Sequence, residues 1–146
     1  MDKYEKNARY KELMGKMKRA YSNSFFYEQI FLEYSILEDR TESLLRHAQY
    51  SVLNYEGKEL TLHSKLIKIK KSTAFKEKSI NKHINEELID KTIIWKNKRN
   101  KLIHNLVNCS YTNDDICSIA SEGYELIKIW NNKSKLVNHF FDKGGK

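Results

Sequence analysis

The sequence contains no proline and only five glycines among its 146 residues. Proline disrupts the interior of a helix and glycine weakens it, so their scarcity favours an all-α fold. Apolar runs are only a few residues long, and residues 1–6 lack the apolar core of a signal peptide. We therefore expect an all-α protein with no transmembrane helix, located in the cytoplasm.

Motifs that bind metals or phosphates are also missing. The two cysteines, Cys109 and Cys117, belong to no CxxC pair and to no Cys/His cluster, so no metal site is expected and both should be reduced thiols. The sequence has no glycine-rich phosphate loop, no GxSxG and no HExxH. These absences argue against the enzyme classes that depend on such motifs, and no cofactor is expected.

Positive charge is in excess. The formal net charge is +8 at pH 7, and 40% of the residues are hydrophobic. The apolar content and the length suit one domain, residues 1–146, with one core. The charge favours a polyanionic partner such as RNA, DNA or an acidic protein, and no membrane partner is expected.

Apolar residues recur at steps of three and four in five segments, which is the period of a helix face. We predict helices over residues 3–20, 25–54, 60–72, 83–107 and 114–141. Because the connections are short, the expected architecture is an antiparallel bundle of four to five helices. The alternation over 65–70 would also fit a strand, but no partner strand is evident.

Single residues mark several helix ends. Gly57 is expected to end the second helix in a left-handed conformation, and Asn81 or Asn85 is expected to cap the fourth. The spacing of Thr112 and Asp115 is typical of a capping box at the start of the last helix.

Two tryptophans and one glycine are expected to lie in the core. Trp95 and Trp130 should pack in the interior of the bundle rather than stack on bases, because both stand on apolar helix faces. Gly123, in the last helix, is expected to allow the close approach of a second helix.

The fourth predicted helix carries polar residues on its apolar face. Positions 88, 92, 95, 99, 102 and 106 form one face of this helix, and Arg99 stands where an apolar residue is called for. Asn100 interrupts the neighbouring apolar row, and His104 lies about 40° past Asn100 around the helix. Polar groups on a buried face cost free energy unless they have partners, so the presence of these three residues on this face has to be explained.

Together, these side chains suit metal-independent cleavage of RNA. The ribose 2′-OH attacks the adjacent phosphate, which requires proton transfer and a cation for the developing negative charge. We expect His104 to transfer protons, Arg99 to bind phosphate and Asn100 to orient them. One histidine does not easily act as both base and acid. A symmetric homodimer would place two histidines and two arginines in one composite cleft.

Lysines extend the expected RNA-binding surface. Residues 58–82 contain eight lysines, and further lysines surround the three polar residues. A run of this kind fits either a solvated face or a surface that binds phosphates without base specificity. The candidates for RNA contacts are Lys65, Lys68, Lys70, Lys71, Lys96, Lys98 and Lys101.

The segment Arg99-Asn100-Lys101-Leu102-Ile103-His104 resembles the signature of the HEPN superfamily, in which a polar residue usually follows the Arg and a His comes four to six residues after it. The resemblance extends loosely to residues 27–34 and 62–68. It implies a small all-α bundle and a metal-independent endoribonuclease that acts as a dimer in toxin–antitoxin, phage-defence or CRISPR systems. Arg99 and His104 would be catalytic, Asn100 supporting, and an antitoxin or defence-system protein a possible partner.

Two other positions bear on this resemblance. A looser spacing also admits Arg40 and His47, which have six residues between them, but no Asn follows Arg40. HEPN toxins paired with a nucleotidyltransferase antitoxin often carry a Tyr two residues after the His. Leu106 stands at that position here, which argues against tyrosine modification.

Two alternatives assign these residues differently. The chain could be a non-catalytic HEPN-like module that binds RNA, a nucleotide or a partner protein, or a structural helical adaptor. In the structural case, Arg99 would either extend its charged end from the apolar face towards solvent or pair with a buried carboxylate such as Glu33 or Glu38.

Overall fold

The computed structural model describes residues 2–108 and 110–144. This part of the chain is all-α, as expected, and contains no strand. The helix count is one above the expected four to five, because residues 78–81 form a four-residue helix after a 3-10 turn. None of the helices in these residues is long and apolar enough to cross a membrane. The six helices are α1 (Lys3–Ser22), α2 (Phe26–His47), α3 (Leu62–Lys71), α4 (Lys78–Asn81), α5 (Glu86–His104) and α6 (Asn113–Asp142).

The end of α2 differs most from the sequence prediction. The helix ends at His47 and not at residue 54, and Gln49 then adopts a left-handed φ of 64°. The chain folds back through a single antiparallel bridge, and Gly57, with φ 77°, turns this segment rather than ending the helix. The predicted helix was too long because Val52, which lies beyond the helix, is still packed in the core and so continues the apolar spacing.

The helix starts follow side-chain caps. Thr112 and Asp115 form the predicted capping box, in which each side chain accepts a hydrogen bond from the other residue's N–H, at 3.1 and 3.0 Å. Asn85, and not Asn81, caps α5, because its Oδ1 accepts a hydrogen bond from the N–H of the helix's third residue at 2.9 Å. α5 therefore begins at Glu86, three residues after the predicted start.

The packing of α2 on α6 corrects the expected antiparallel arrangement. Gln29 of α2 contacts Ala120 of α6, and Ser43 contacts Asn138, so the two helices run in the same direction. The sequential pairs α1/α2 and α5/α6 are antiparallel. The prediction is wrong for α2 and α6 because no short connection joins them, and short connections were its only basis.

A close contact of α2, α5 and α6 lies at the centre of the core. Trp95 and Trp130 are 1% and 0% exposed, as predicted. Trp95 Nε1 donates a hydrogen bond to the Ile119 carbonyl of α6 at 2.8 Å. Gly123 follows one turn later, and a Cβ there would lie 2.7 Å from Trp95 Cζ2 and 2.7 Å from Glu33 Cδ. The expected close approach at Gly123 is confirmed.

Two polar side chains of α2 are buried in this contact. Gln29 and Glu33 are both 0% exposed, and Gln29 Nε2 donates to Glu33 Oε2 and to the Ala120 carbonyl, each at 3.1 Å. Burial raises the pKa of Glu33 to about 9, and the hydrogen bond from Gln29 offsets this only in part. Glu33 is therefore protonated and neutral at pH 7.

Replacing Gly123 tests the close contact. We expect Gly123→Ala to lower the free energy of unfolding by roughly 1–3 kcal/mol, because its Cβ would overlap Trp95 and the Glu33 carboxyl. Gly15→Ala is the matched control: its Cβ would meet only the flexible end of Arg19, at 3.3 Å, so it should stabilise the protein by about 0.5–1 kcal/mol. Urea titrations measure both changes, and similar effects of the two substitutions would contradict the contact.

The raised pKa of Glu33 predicts a dependence of stability on pH. Between about pH 4.5 and 9 the folded state holds a proton that the unfolded state has lost, so stability falls as the pH rises. The decline should reach about 1.4 kcal/mol per pH unit. Glu33→Gln has no such proton and should flatten it. Denaturation between about pH 5 and 8 measures the slope, and Glu38→Gln, on the same helix, should leave it intact. An unchanged slope in Glu33→Gln would rule out this source.

Candidate active site

Arg99 lies where α5 meets α2, and its guanidinium stacks on an aromatic ring. Arg99 Cζ is 4.1 Å from the centre of the Tyr34 ring, and Nη1 donates to Asn100 Oδ1 at 3.1 Å. Within the described residues Arg99 forms no ion pair with Glu33 or Glu38, and its buried Nε has no hydrogen-bond partner. The pairing with a carboxylate, one of the two structural roles expected for Arg99, is not formed with Glu33 or Glu38.

Tyr34 provides a neutral platform for this guanidinium. Burial raises the pKa of the Tyr34 phenol, the charge of Glu38 raises it further, and the charge of Arg99 lowers it. The phenol therefore stays protonated at neutral pH. A cation over such a ring gains about 0.5–2 kcal/mol, which holds Arg99 in place without neutralising its charge.

His104 is the last residue of α5 and is exposed. It stands five residues after Arg99, which separates the two by about 140° around the helix and about 7.5 Å along it. Lys96 and Asn100 share the row of His104, at steps of four residues. The fold thus brings Arg99 and Asn100 together. His104 lies on the same row of α5 as Asn100, which we call the outer row and which consists of Lys96, Asn100 and His104.

A second histidine contacts the same row from α3. His63 Nδ1 lies 3.1 Å from Lys96 Nζ. His63 is exposed, whereas Lys96 is 7% exposed, and burial lowers the pKa of Lys96. No sequence pattern marks this contact, since the two residues are far apart in the chain. The only signal was the position of His63 in the lysine-rich helix expected to bind phosphate.

Two of the seven lysines expected to contact RNA are buried. Lys65 is 3% exposed, and its Nζ lies 3.5 Å from both the Glu38 carbonyl and a Glu42 carboxylate oxygen. Lys96 is the second, directed at His63. In this structure neither ammonium group faces solvent as a phosphate-binding surface would require.

The other five lysines are nearer the surface and differ in their partners. Lys71 and Lys101 are exposed, and their ammonium groups form no hydrogen bond or ion pair with any described residue. The remaining three are already engaged, so the seven do not form one continuous unpaired surface. Their contacts are Lys68 with the Ser51 carbonyl at 2.6 Å, Lys70 with Asp90 at 2.8 Å and Lys98 with Glu122 at 3.0 Å.

The looser sequence match, Arg40 and His47, lies elsewhere and is paired. Arg40 forms an ion pair with Asp39, and His47 contacts Asp142. Both side chains have an acidic partner that would compete with a phosphate group. Both arginines stack on a tyrosine ring, and Arg99 differs from Arg40 in having no carboxylate partner among the described residues.

Exposed apolar side chains occur on α2, on α5 and in the turn that follows α5. α2 and α5 run antiparallel, because α2 is parallel to α6 and α5 is antiparallel to it. Phe31, one turn before Tyr34, and Ile103, one turn after Arg99, therefore lie on the same side of the Arg99–Tyr34 contact. We call this region the α2–α5 apolar surface. Its members are Tyr27 (49% exposed), Phe31 (62%), Ile103 (38%), Leu106 (47%) and Val107 (95%).

A groove of about 600 Å³ lies on another flank of α5, where α5 meets α6. Ile94 and Ile129 line it, and the ion pair of Lys98 with Glu122 stands at its edge. None of the three polar residues of the candidate site belongs to it. This groove is therefore separate from the candidate site formed by Arg99, Asn100 and His104.

The described residues offer no cluster of three or more His, Cys, Asp or Glu side chains that could hold a metal ion. Cys117 is a free thiol, and Cys109 lies outside the described residues. The candidate site on α5 thus comprises an arginine, an amide, two histidines and lysines. The role of this site has to be inferred from these residues, because no family model, curated protein or solved structure matches the chain.

Proposed function

We propose that the chain is a metal-independent endoribonuclease of the HEPN type, with Arg99, Asn100 and His104 in its active site. The state of Arg99 carries the proposal. Its guanidinium is held on the Tyr34 ring and bonded to Asn100, and no carboxylate of the described residues neutralises it. A fixed planar cation of this kind binds phosphate oxygens. The exposed His104 ends the same helix and supplies an imidazole for proton transfer.

The reaction would be a transesterification within the RNA backbone. His104 accepts the proton of the 2′-OH as this oxygen attacks the adjacent phosphorus. The O2′–P bond forms and the P–O5′ bond breaks, and Arg99 stabilises the charge on the nonbridging oxygens. Asn100 holds Arg99 through its Oδ1. After the leaving oxygen gains a proton, the products are a 2′,3′-cyclic phosphate and a 5′-OH end.

The proposed active form is a homodimer. Phe31 and Ile103 of the α2–α5 apolar surface stand one turn from Tyr34 and from Arg99, and exposed apolar side chains that group together mark interaction sites. A twofold contact through this surface would bury it against itself. It would also bring the Arg99 side chains of two subunits towards one RNA cleft, which makes the site a composite one.

The proposed biological setting follows from the resemblance to the HEPN superfamily. An RNA-cleaving protein of this type would serve as a toxin or a phage-defence effector. An antitoxin or a defence-system protein would restrain it, and its substrate would be RNA. These partners belong to the proposal as much as the chemistry does.

Two substitutions test the proposed chemistry. We expect His104→Ala and Arg99→Ala each to reduce cleavage of a defined RNA about 100-fold or more, because each removes a group that acts on the reacting phosphate. Arg40→Ala is the matched control for Arg99, since Arg40 also stacks on a tyrosine, 4.0 Å above the Tyr10 ring. It should keep the activity. Single-turnover assays in the presence of a metal chelator measure the rates.

A second candidate function is a non-catalytic module that binds RNA, a nucleotide or a protein. The observation that favours it is the separation of Arg99 and His104 on different rows of α5. If the unaltered protein binds RNA with a steep salt dependence but never cleaves it, this second candidate replaces the ribonuclease. Cleavage that survives His104→Ala unchanged would overturn the assignment of His104.

The dimer can be tested separately from the chemistry. Phe31→Asp places a charge in the α2–α5 apolar surface, where Phe31 is 62% exposed in the single chain. We expect it to raise the dimer dissociation constant at least about tenfold, because a buried aromatic contact is lost and a charge is desolvated. Tyr55→Asp is the control, since Tyr55 is 96% exposed in the segment after α2. Sedimentation measures both, and a monomer that cleaves RNA at full rate would contradict the dimer.

A further inference from the structure

His63 and Lys96 form a pair at the junction of α3 and α5 that the proposed reaction does not yet use. Lys96 Nζ lies 3.1 Å from His63 Nδ1, with the lysine buried and the imidazole exposed. An ammonium group can only donate hydrogen bonds, so Nδ1 of a neutral His63 accepts. The proton of that imidazole is then on Nε2. This N–H is left for a partner outside the pair.

The surroundings of His63 supply a cation and no acidic partner. Two acidic side chains that the neighbouring helices present to α3 are engaged with other lysines: Glu42 of α2 contacts Lys65, and Asp90 of α5 contacts Lys70, on which the charge of Glu86 also acts. Among the described residues, Lys96 is the charged group that contacts the imidazole. Burial lowers the pKa of Lys96, which makes its ammonium a readier proton donor than that of an exposed lysine.

The position of the pair relates it to the candidate site. Lys96, Asn100 and His104 follow one another at four-residue steps along α5, about 6 Å for each step. His63 lies against the Lys96 end of this row, and His104 forms the other end. A phosphodiester placed over Asn100 would therefore have one imidazole at each end.

We propose that His63 is the general acid of the site and that Lys96 supplies it with a proton. This inference rests on the proposed function, in which His104 is the base. As the P–O5′ bond breaks, His63 Nε2 gives its proton to the leaving 5′-oxygen, and a proton of the Lys96 ammonium moves to His63 Nδ1. The pair begins with one positive charge and ends neutral. His104 keeps the proton of the 2′-OH, and exchange with solvent restores all three residues.

The consequence is that one chain supplies both the base and the acid. The partner subunit is then not needed as the source of a second histidine. Its contribution would be the apolar contact and a second cationic surface for RNA.

The test compares two RNA substrates that differ at one atom. The first has the natural 5′-oxygen leaving group, and the second has sulfur in its place, which leaves as a thiolate without needing a proton. We expect His63→Ala to slow cleavage of the oxygen substrate about 100-fold or more. His63→Ala should cleave the sulfur substrate at a rate within about threefold of that of the unaltered protein. His104→Ala removes the base and should slow both substrates.

Three further variants make the result specific. His63→Gln keeps a hydrogen-bond acceptor for Lys96 but cannot donate a proton as an acid, so it should behave as His63→Ala does. Lys96→Met keeps the apolar stem without the ammonium, and should slow the oxygen substrate about tenfold and spare the sulfur substrate. His139→Ala, an exposed histidine of α6, should change neither rate.

The outcomes separate this inference from the proposed function. Rescue of His63→Ala by the sulfur substrate supports the general acid. Equal losses on both substrates, or a loss below about threefold on the oxygen substrate, overturn it while the ribonuclease stands. If the unaltered protein cleaves neither substrate, the ribonuclease itself fails, and the role of His63 fails with it.

Discussion

The contact of Trp95 with α6 fixes the rotation of α5, and the geometry of the candidate site depends on that rotation. The indole donates to the Ile119 carbonyl at 2.8 Å, and this approach needs the space left by Gly123. Arg99 stands one turn after Trp95 and therefore falls on the flank of α5 that meets Tyr34. A different rotation would turn Arg99 away from its ring and change which residues of α5 face solvent.

Glu33, which is next to Tyr34 in the chain, is buried in a neutral state and forms no ion pair with Arg99. An ionised carboxylate in the core would attract any nearby cation, and a guanidinium is the cation best suited to a buried pair. Glu33 instead keeps its proton, because burial raises its pKa and Gln29 supplies only one hydrogen bond. The guanidinium of Arg99 is instead held by the quadrupole of Tyr34, an interaction that leaves its positive charge without a carboxylate partner among the described residues.

Local features of the sequence predicted local structure well. The absence of proline and the spacing of apolar residues predicted an all-α chain, and the Thr112 capping box and the close approach at Gly123 are confirmed. The end of α2 was predicted wrongly because apolar residues recur wherever the chain is buried, whether or not it is helical. Val52 is buried although it lies beyond the helix. The parallel packing of α2 on α6 was missed because it depends on contacts between distant segments.

The candidate site was predictable only in part for the same reason. Polar residues on an apolar face singled out Arg99 and Asn100, and the structure places them in contact. Counting lysines could not show which are buried, because Lys65 faces Glu42 only after α3 has packed on α2. The contact of His63 with α5 is also a tertiary one, which no motif search within a single segment can find.

The two flanks of α5 therefore divide the work of the proposed enzyme. The flank facing α2 carries Arg99 and borders the apolar surface, which suits binding of phosphate and of a second subunit. The outer row, with His63 at one end and His104 at the other, suits proton transfer. Asn100 belongs to the outer row and yet bonds to Arg99, so it joins the two flanks. In the proposed complex the phosphate would lie over Asn100, between the Arg99 cation and the two imidazoles of the row. Loss of this single amide should then impair phosphate binding and proton transfer together.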